Sequence, residues 1–170
     1  LEGDALIHYA TLLGRYKSFH KHPSLGILRL DYDYPPAPGD IDHPDSYEYP
    51  VYYRVVPGLT FEMCQDGKLT PEVGAAFDEA VLWLANHKDV SVITGDCGFM
   101  FWFVERVRKI ASKKVISLSP LMQLPSMVAA CAPQDKILVL TVNGKSLAPM
   151  HDLIKRQCGI DGQDTQFIIV

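Results

Sequence analysis

The sequence has no long run of lysine and arginine and no long apolar run. Its 170 residues carry 16 Lys and Arg against 20 Asp and Glu, a net charge of −4, which argues against a nucleic-acid partner or an anionic membrane surface. No apolar stretch reaches the roughly 18–20 residues that a membrane helix needs, so no membrane span is predicted. What is left is a globular chain that is 48% hydrophobic.

The sequence also lacks the paired cysteines of metal and redox motifs. No Cys-x-x-Cys pair is present, and the cysteine spacing fits no zinc module. A chain this apolar does not need disulfides, so reduced thiols in an intracellular protein, of the cytoplasm or a plastid, are predicted. His20, His22 and His43 lie in irregular polar segments without a paired carboxylate motif, so no metal is predicted. The four cysteines are Cys64, Cys97, Cys131 and Cys158.

Helical and strand-like patterns alternate from residue 70 onward. Thr70, Pro71 and Glu72 are typical of a helix start, and one apolar face predicts a helix to about Asn86. Short β-branched segments alternate with further helical patterns, which indicates βαβ units and a parallel sheet. The predicted fold class is therefore α/β, a doubly wound parallel sheet with flanking helices. Strands are predicted at residues 26–30, 52–56, 90–94, 115–118, 136–142 and 167–170, and helices at residues 71–86, 99–111, 120–132 and 148–158.

The chain is predicted to hold an N-terminal helical segment, residues 1–25, and one α/β lobe, residues 26–170. Residues 31–50 contain five prolines and predict a long irregular loop of the kind that serves as a lid or binding loop. Residues 136–142 are almost continuously apolar and predict a strand buried on both faces. Because residues 167–170 stop inside an apolar strand, we expect the chain to be truncated.

Cys97 is the strongest candidate for chemistry. It follows a predicted strand and precedes a predicted helix, so it lies at the edge where open parallel sheets bind ligands. A helix N-terminus lowers the pKa of a cysteine thiol from its ordinary value of about 8.5, and the N–H groups of Gly98 and Phe99 can hold a carboxylate. A thiolate beside an anion site suits removal of a proton next to a carboxylate. The alternative is a small buried hydrophobic residue, the commonest state of a free cysteine, and position alone does not decide between them.

A second anion site is predicted at the turn after the fifth strand. Thr141, Asn143 and Gly144 place small donors and free backbone at a strand end. The Gly-Lys-Ser sequence that begins at Gly144 resembles the tail of a phosphate-binding loop, but that motif needs a glycine where Val139 stands. A nucleotide-phosphate site is therefore rejected.

The remaining cysteines and the aromatic residues have a structural interpretation. Cys64 lies in a polar turn, and Cys131 and Cys158 lie near helix ends, so all three are predicted to be structural. The aromatic run at residues 99–103 predicts burial on several sides; the alternative is that one or two rings line a pocket and meet a cation. Further rings for a cation are offered by Tyr32, Tyr34, Tyr47, Tyr49, Tyr52 and Tyr53.

Four segments of the sequence carry a resemblance to a known family. They are Leu-Asp-Tyr-Asp-Tyr-Pro-Pro at 30–36, Val-Pro-Gly-Leu-Thr-Phe-Glu at 56–62, Thr-Gly-Asp-Cys-Gly-Phe-Met at 94–100 and Thr-Val-Asn-Gly-Lys at 141–145. In this order they resemble the Alma-type dimethylsulfoniopropionate lyases of algae, a branch of the aspartate/glutamate racemase superfamily. The position of Cys97 between strand and helix resembles the superfamily as a whole. The superfamily pattern has Asn directly before the first Cys, where this chain has Asp96, which is a departure from a plain racemase.

The resemblance implies a reaction that needs no cofactor. A Cys97 thiolate removes the proton next to the substrate carboxylate, and the carbanion expels dimethyl sulfide and leaves acrylate. Donors near Gly98, Thr141 and Asn143 would hold the carboxylate and stabilise the developing charge, and aromatic faces or carboxylates would meet the sulfonium. The substrate-binding residues implied are Asp96, Gly98, Phe99, Thr141, Asn143 and Gly144.

The resemblance also implies an incomplete site. The family's second catalytic Cys lies in a second lobe, so residues 1–170 carry half a site and are predicted to be inactive alone, whereas the whole protein, as a homo-oligomer, is predicted to be a lyase. An aspartate or glutamate racemase is the alternative enzyme. A protein that binds a zwitterion without turning it over is the alternative from another class.

Overall fold

A mostly parallel sheet forms the centre of the part of the chain that the computed structural model describes, residues 7–8, 24–161 and 166–170. Its strands are β1 (Ile7–His8), β2 (Ser24–Arg29), β3 (Val51–Val55), β4 (Val90–Gly95) and β5 (Val115–Ile116). They lie in the order β1-β3-β2-β4-β5. Strands β2 to β5 run parallel, and β1 is antiparallel to β3. The α/β class with a parallel sheet is confirmed.

Helices connect and flank these strands. The longest, α2, begins where the sequence predicts: the Thr70 side chain accepts a hydrogen bond from the N–H of Val73, and Pro71 is the first helical residue. Its apolar face packs against β2, β3 and β4, and α3 lies beside it. The α-helices are α1 (Phe61–Asp66), α2 (Pro71–Asn86), α3 (Val104–Ile110), α4 (Leu124–Ala130), α5 (Gly144–Leu147) and α6 (His151–Cys158).

Three predicted helices begin with a 3-10 segment. The helix predicted at residues 99–111 starts as a 3-10 helix, Gly98–Phe103, and continues as α3. Phe99, Met100, Phe101 and Phe103 of this 3-10 segment are buried. The other 3-10 segments are Pro44–Ser46, Pro120–Gln123 before α4, and Ala148–Met150 before α6.

The interpretation of residues 136–142 as a strand buried on both faces is wrong. Only Ile137–Val139 form a strand, β6, which pairs in parallel with β7 (Phe167–Ile169) in a separate two-stranded sheet. Leu138, Leu140 and Val142 are 57%, 77% and 79% exposed. An apolar run predicts that a strand is covered, but it does not predict which element covers it. In the described residues, one face of this strand is uncovered.

The structure describes only Ile7–His8 of the first 23 residues. These two residues form β1 at the edge of the main sheet, opposite Val51 and Tyr52 of β3. Strand β2 begins at Ser24, two residues before the predicted start of the lobe. The rest of the N-terminal helical segment predicted for residues 1–25 lies outside the described residues.

The main sheet separates two apolar clusters. Because side chains alternate across a strand, neighbouring residues of β2 enter different clusters. Leu28 joins the larger one, which includes Phe77 of α2, and Ile27 joins a smaller one with Val51 and Tyr53 of β3. Helices α2 and α3 therefore cover one face, and the loop after β2 contributes to the other.

The long loop over residues 31–50 is tied to the sheet by one buried carboxylate. Asp42 is 3% exposed and accepts a hydrogen bond from the Arg29 guanidinium at 2.8 Å. The Tyr34 hydroxyl lies 3.5 Å from its other oxygen, and the Tyr47 hydroxyl donates to the carbonyl of Ile41 at 2.6 Å. The loop is irregular, as predicted, but it is held in place beside the carboxyl end of β2.

Candidate functional site

A cavity of about 530 Å³ lies beyond the carboxyl ends of β2 and β4. These strands are neighbours in the sheet, with β3 on one side of β2 and β4 on the other, so this is the topological switch point where open α/β sheets bind ligands. The volume lies within the range of small-molecule sites, about 300–1,000 Å³. Polar groups in the mostly apolar wall come from Tyr32, Asp96, Cys97, Ser119, Gln123 and Thr141.

The turn that carries Cys97 is shaped by a close approach at Gly95. This glycine ends β4, and a Cβ there would overlap the side chain of Met100, which is fully buried. The turn therefore folds tightly back onto the end of the strand, and Cys97, in an extended conformation, caps the 3-10 helix that follows. Cys97 is 5% exposed and lines the cavity.

Hydrogen bonds to sulfur favour the thiolate form of Cys97. The pKa of its thiol is lowered, above all by a hydrogen bond from the Cys64 side chain and also by the backbone N–H groups of Phe99 and Met100. Burial and the nearby Asp96 carboxylate act in the opposite direction. These backbone contributions come from the start of the helical segment that follows Cys97, and the role of Cys97 as a base stays a prediction.

Asp96 is a buried carboxylate at the cavity wall. One oxygen accepts the N–H of Leu30 at 3.0 Å, whereas the other is buried with no hydrogen-bond partner. Burial raises the pKa of this carboxyl from about 3.8 to about 7, with the hydrogen bond from Leu30 acting against the rise. A positively charged group in the cavity would stabilise the ionised form of this carboxyl.

Replacing Asp96 by Asn is expected to stabilise the whole protein at pH 8 but not at pH 5. Because the folded pKa is raised, the native carboxyl keeps a proton that the unfolded chain has lost between about pH 4 and 7, so stability falls as pH rises through this range. The difference of about three pH units corresponds to about 4 kcal/mol, and an unpartnered amide group in the variant costs about 1–3 kcal/mol. We expect a net gain of about 1–3 kcal/mol at pH 8 in urea unfolding.

The exposed Asp89 provides the matched control for this measurement. Asp89→Asn removes the same charge from the surface, where single substitutions change stability by about 0.5 kcal/mol or less. A gain for Asp96→Asn that is equal at pH 5 and pH 8 would show that ionisation of the buried carboxyl is not its cause.

The second predicted anion site is only partly at the cavity. Thr141 lines it, whereas Asn143 and Gly144 do not. The Asn143 side chain accepts hydrogen bonds from the N–H groups of Lys145 and Ser146 and so caps α5. The turn chemistry that indicated a ligand site thus serves the helix at this position, a use that Asn often has before a helix.

Ser119 completes the polar part of the wall. It is 3% exposed, and its Oγ accepts the N–H of Leu121 at 3.3 Å, which leaves its own hydrogen able to serve as a donor. The Oγ also lies 3.9 Å from the place where a Cβ on Gly98 would stand. The hydroxyl is therefore adjacent to the turn that carries Cys97.

Aromatic rings line two sides of the cavity. Phe99 and Phe61 meet edge to face with ring centroids 6.0 Å apart, and both line the cavity. Tyr32 lines it as well, and its ring lies 4.8 Å from that of Tyr34. Burial and the Asp96 carboxylate raise the pKa of Tyr32, so its hydroxyl stays protonated. Of the aromatic run at residues 99–103, Phe99 alone lines the cavity. Burial is confirmed for all members of the run except Trp102, which is half-buried.

Three residues of the site were not predicted as such. Cys64 lies in helix α1 and not in a polar turn, because Thr60 caps that helix through the N–H of Met63. Thr is a common residue directly before a helix, so Thr60 is a capping signal that the sequence does contain. Ser119 is in a turn that the sequence places at the sheet edge, but nothing in its pattern singles out the hydroxyl, and Phe61 reaches the cavity only through tertiary packing.

The described residues contain neither a membrane-spanning helix nor a cluster of metal ligands. Among residues 24–161 and 166–170, no helix is both long and apolar enough to cross a membrane. Within the same residues, no three His, Cys, Asp or Glu side chains are grouped as metal ligands would be. His20 and His22 lie outside the described residues.

These features define a class of protein. It is an α/β protein in which a cysteine with a lowered thiol pKa lines a ligand-sized cavity beyond the parallel strands. The chain is 54% identical over 149 residues to dimethylsulfoniopropionate lyase 6 of Emiliania huxleyi (strain CCMP1516) and 52% identical over 150 residues to lyase 7 of the same strain. It is 49% identical over 150 residues to the dimethylsulfoniopropionate lyase of Durusdinium sp. clade D, and each match takes in 88% of this chain. The chain is similar to these algal proteins over most of its own length, as the four sequence segments indicate.

The chain is shorter than these relatives. It spans 38% of the length of lyase 6, 43% of lyase 7 and 50% of the Durusdinium protein. No family model and no solved structure matches it. Membership of the wider aspartate/glutamate racemase superfamily therefore stays a prediction.

Proposed function

We propose that the whole protein cleaves dimethylsulfoniopropionate to dimethyl sulfide and acrylate, with Cys97 as the base. The observation that carries the proposal is the position of Cys97 in the wall of a ligand-sized cavity, where the pKa of its thiol is lowered. A thiolate is the form that abstracts a proton. The names of the matched relatives supply the substrate.

The proposed reaction is a base-promoted elimination. The Cys97 sulfur takes the proton from the carbon next to the substrate carboxylate, and the electron pair of that C–H bond becomes the double bond of acrylate. The bond from the neighbouring carbon to sulfur breaks, and its electron pair leaves with neutral dimethyl sulfide. Cys97 then returns its proton to solvent. Because a sulfonium departs as a neutral molecule, one base suffices.

The charges of the cavity wall support one orientation of the substrate. The cationic sulfonium lies toward Asp96 and the faces of Tyr32 and its neighbour Tyr34, where a carboxylate with an unpartnered oxygen and two rings meet. The substrate carboxylate lies toward the hydroxyls of Ser119 and Thr141, which line the same cavity and can donate to it. The reverse orientation would bring two carboxylates together. This assignment keeps Asp96, Phe99 and Thr141 in the substrate site and leaves Asn143 and Gly144 as supports of α5.

The half-site prediction is part of the proposal. Leu138, Leu140 and Val142 line the cavity and are more than half exposed, so one wall of it is an uncovered apolar surface. Because this chain spans 38–50% of its relatives' length, we assign the covering surface to the part of the whole protein that those relatives possess in addition. Self-association into a homo-oligomer and an intracellular location remain predictions.

The whole protein is expected to release dimethyl sulfide from dimethylsulfoniopropionate, whereas residues 1–170 alone are expected to release none. Headspace gas chromatography measures the product, and circular dichroism checks that the shorter chain is folded. A folded and active 1–170 would contradict the half-site proposal. A whole protein that releases no dimethyl sulfide would contradict the lyase proposal.

A racemase is distinguished in the same samples by its product. Incubation of the whole protein with aspartate or glutamate in deuterated water places solvent deuterium on the α carbon if the protein is a racemase. Asp96 stands beside Cys97 where the racemase pattern has Asn, which is a departure from a plain racemase. A binding protein would retain the substrate and release neither product.

A further inference from the structure

We propose that three aromatic rings and the Asp96 carboxylate form a subsite for methylated onium groups, both sulfonium and quaternary ammonium, and that Phe61 is its specificity-determining residue. The rings belong to Tyr32, Phe61 and Phe99, and all four residues line the same cavity as Cys97. The inference rests on the proposed function, because the dimethylsulfonium group is one member of this class. It extends that function to quaternary ammonium compounds, which the subsite binds without cleavage.

Each ring comes from a different segment at the carboxyl end of the main sheet. Tyr32 lies in the loop after β2, Phe61 is the first residue of α1 after β3, and Phe99 is in the 3-10 segment after β4. Strands β3, β2 and β4 are neighbours in this order, so the segments that follow them meet at one edge. The rings of Phe61 and Phe99 lie edge to face with centroids 6.0 Å apart.

Hydrogen bonds tie two of these segments together. The N–H of Asp31 donates to the carbonyl of Leu59 at 2.9 Å, and the Asp31 carboxylate accepts the N–H of Gly58 at 2.7 Å. These two bonds join the residue before Tyr32 to the turn that precedes Phe61. The backbone that carries both rings is therefore fixed at the cavity.

Asp96 supplies the negative charge of the subsite. One oxygen of its carboxylate accepts the N–H of Leu30 at 3.0 Å, which joins it to the start of the loop that carries Tyr32, and the other oxygen is buried without a hydrogen-bond partner. None of the described residues that line the cavity is Lys, Arg or His. Because an unpaired buried carboxylate is unfavourable, a cationic ligand is the group that compensates it here.

The chemistry of the wall separates an onium group from a neutral group of the same shape. A methylated sulfonium or ammonium group has no N–H to donate, and ring faces attract its charge. A neutral tert-butyl group fills the same space without charge. A purely apolar pocket prefers the neutral group, because its burial removes apolar surface from water and sacrifices no hydration of an ion. The proposed subsite has the opposite preference.

The test is calorimetric titration of the whole protein with 3-(trimethylammonio)propionate and with its neutral isostere 4,4-dimethylpentanoate. Trimethylamine is a much stronger base than dimethyl sulfide and so a poorer leaving group, which keeps the cationic ligand intact during the titration. We expect the cation to bind at least about tenfold more tightly than the isostere. Equal affinities, or tighter binding of the isostere, would overturn the inference.

Variants at position 61 test the specificity-determining residue. Phe61→Leu removes the ring but keeps an apolar side chain, so the affinity for the cation is expected to fall by about 3- to 30-fold while that for the isostere stays within about twofold. Phe61→Tyr keeps a ring face and should keep the preference for the cation. Tyr49→Leu is the matched control, because Tyr49 is 39% exposed and does not line the cavity, and it should change neither affinity.

An equal loss of both affinities in Phe61→Leu would mean that Phe61 contributes apolar contact only, and its proposed role would fail. If that variant does not fold, Tyr32→Leu replaces it, since Tyr32 is 41% exposed, and an unchanged ratio of the two affinities overturns the subsite. A protein that prefers the cation but releases no dimethyl sulfide contradicts the lyase and supports the subsite. A protein that releases dimethyl sulfide but binds both ligands equally supports the lyase and overturns the subsite.

Discussion

Replacing Cys97 by Ser is expected to lower the rate of dimethyl sulfide release from the whole protein by a factor of about 10²–10⁴, the usual contribution of a general base. A serine hydroxyl fits the same space and accepts the same hydrogen bonds, but it does not ionise in the range where the Cys97 thiol does. Proton abstraction therefore loses its base while the cavity keeps its shape. Gas chromatography at saturating substrate gives the rate.

Substrate binding separates this outcome from a general loss of structure. Calorimetric titration of Cys97→Ser with dimethylsulfoniopropionate should still show binding, because the groups assigned to the sulfonium and the carboxylate are intact. Cys131→Ala should keep both binding and rate. If Cys97→Ser kept the full rate, Cys97 would not be the base. If the variant lost both substrate binding and rate, the result would indicate a damaged cavity.

Replacing Asp42 by Ala is expected to destabilise the whole protein by about 3–5 kcal/mol, the usual result of removing one partner of a buried ion pair. The Asp42 side chain is 1% exposed, and its partner Arg29 is 16% exposed. The Nε of Arg29 is buried without a hydrogen-bond partner, so the guanidinium depends on Asp42 for compensation. Urea unfolding, followed by circular dichroism, measures the loss.

An exposed ion pair provides the comparison for Asp42. Glu79 lies 3.9 Å from Arg54 and is 78% exposed, so Glu79→Ala should cost about 0–1 kcal/mol. Similar losses in the two variants would mean that the buried pair has no special role. Because Asp42 also meets the Tyr34 hydroxyl, its loss should release the loop that carries Tyr32 to the cavity, and we expect substrate affinity to fall as well.

The parts of the structure that the sequence predicts are those specified by near neighbours. Helix α2 begins at Pro71 because Thr70 caps it, and its apolar spacing fixes which face is buried. Cys97 lies at the sheet edge because a strand, a glycine and a helical segment follow one another within about ten residues. Capping and periodicity are local properties of the chain, so these elements need no knowledge of the tertiary fold.

The parts that the sequence does not predict depend on contacts between distant residues. The apolar run at β6 is consistent with burial or exposure, and only its partner strands decide between them. Cys64 and Cys97 are 33 positions apart, so no pattern along the chain links their sulfurs. The sequence alone does not show whether Asn143 binds a ligand or caps α5. In each of these cases the sequence shows the type of residue but does not show which distant residue it contacts.

The close approach of Met100 to Gly95 limits how this protein can change over time. Any larger residue at position 95 requires the fully buried Met100 side chain to shift. Drift in the sequence can therefore alter the loops around the cavity more readily than the bend that presents Cys97.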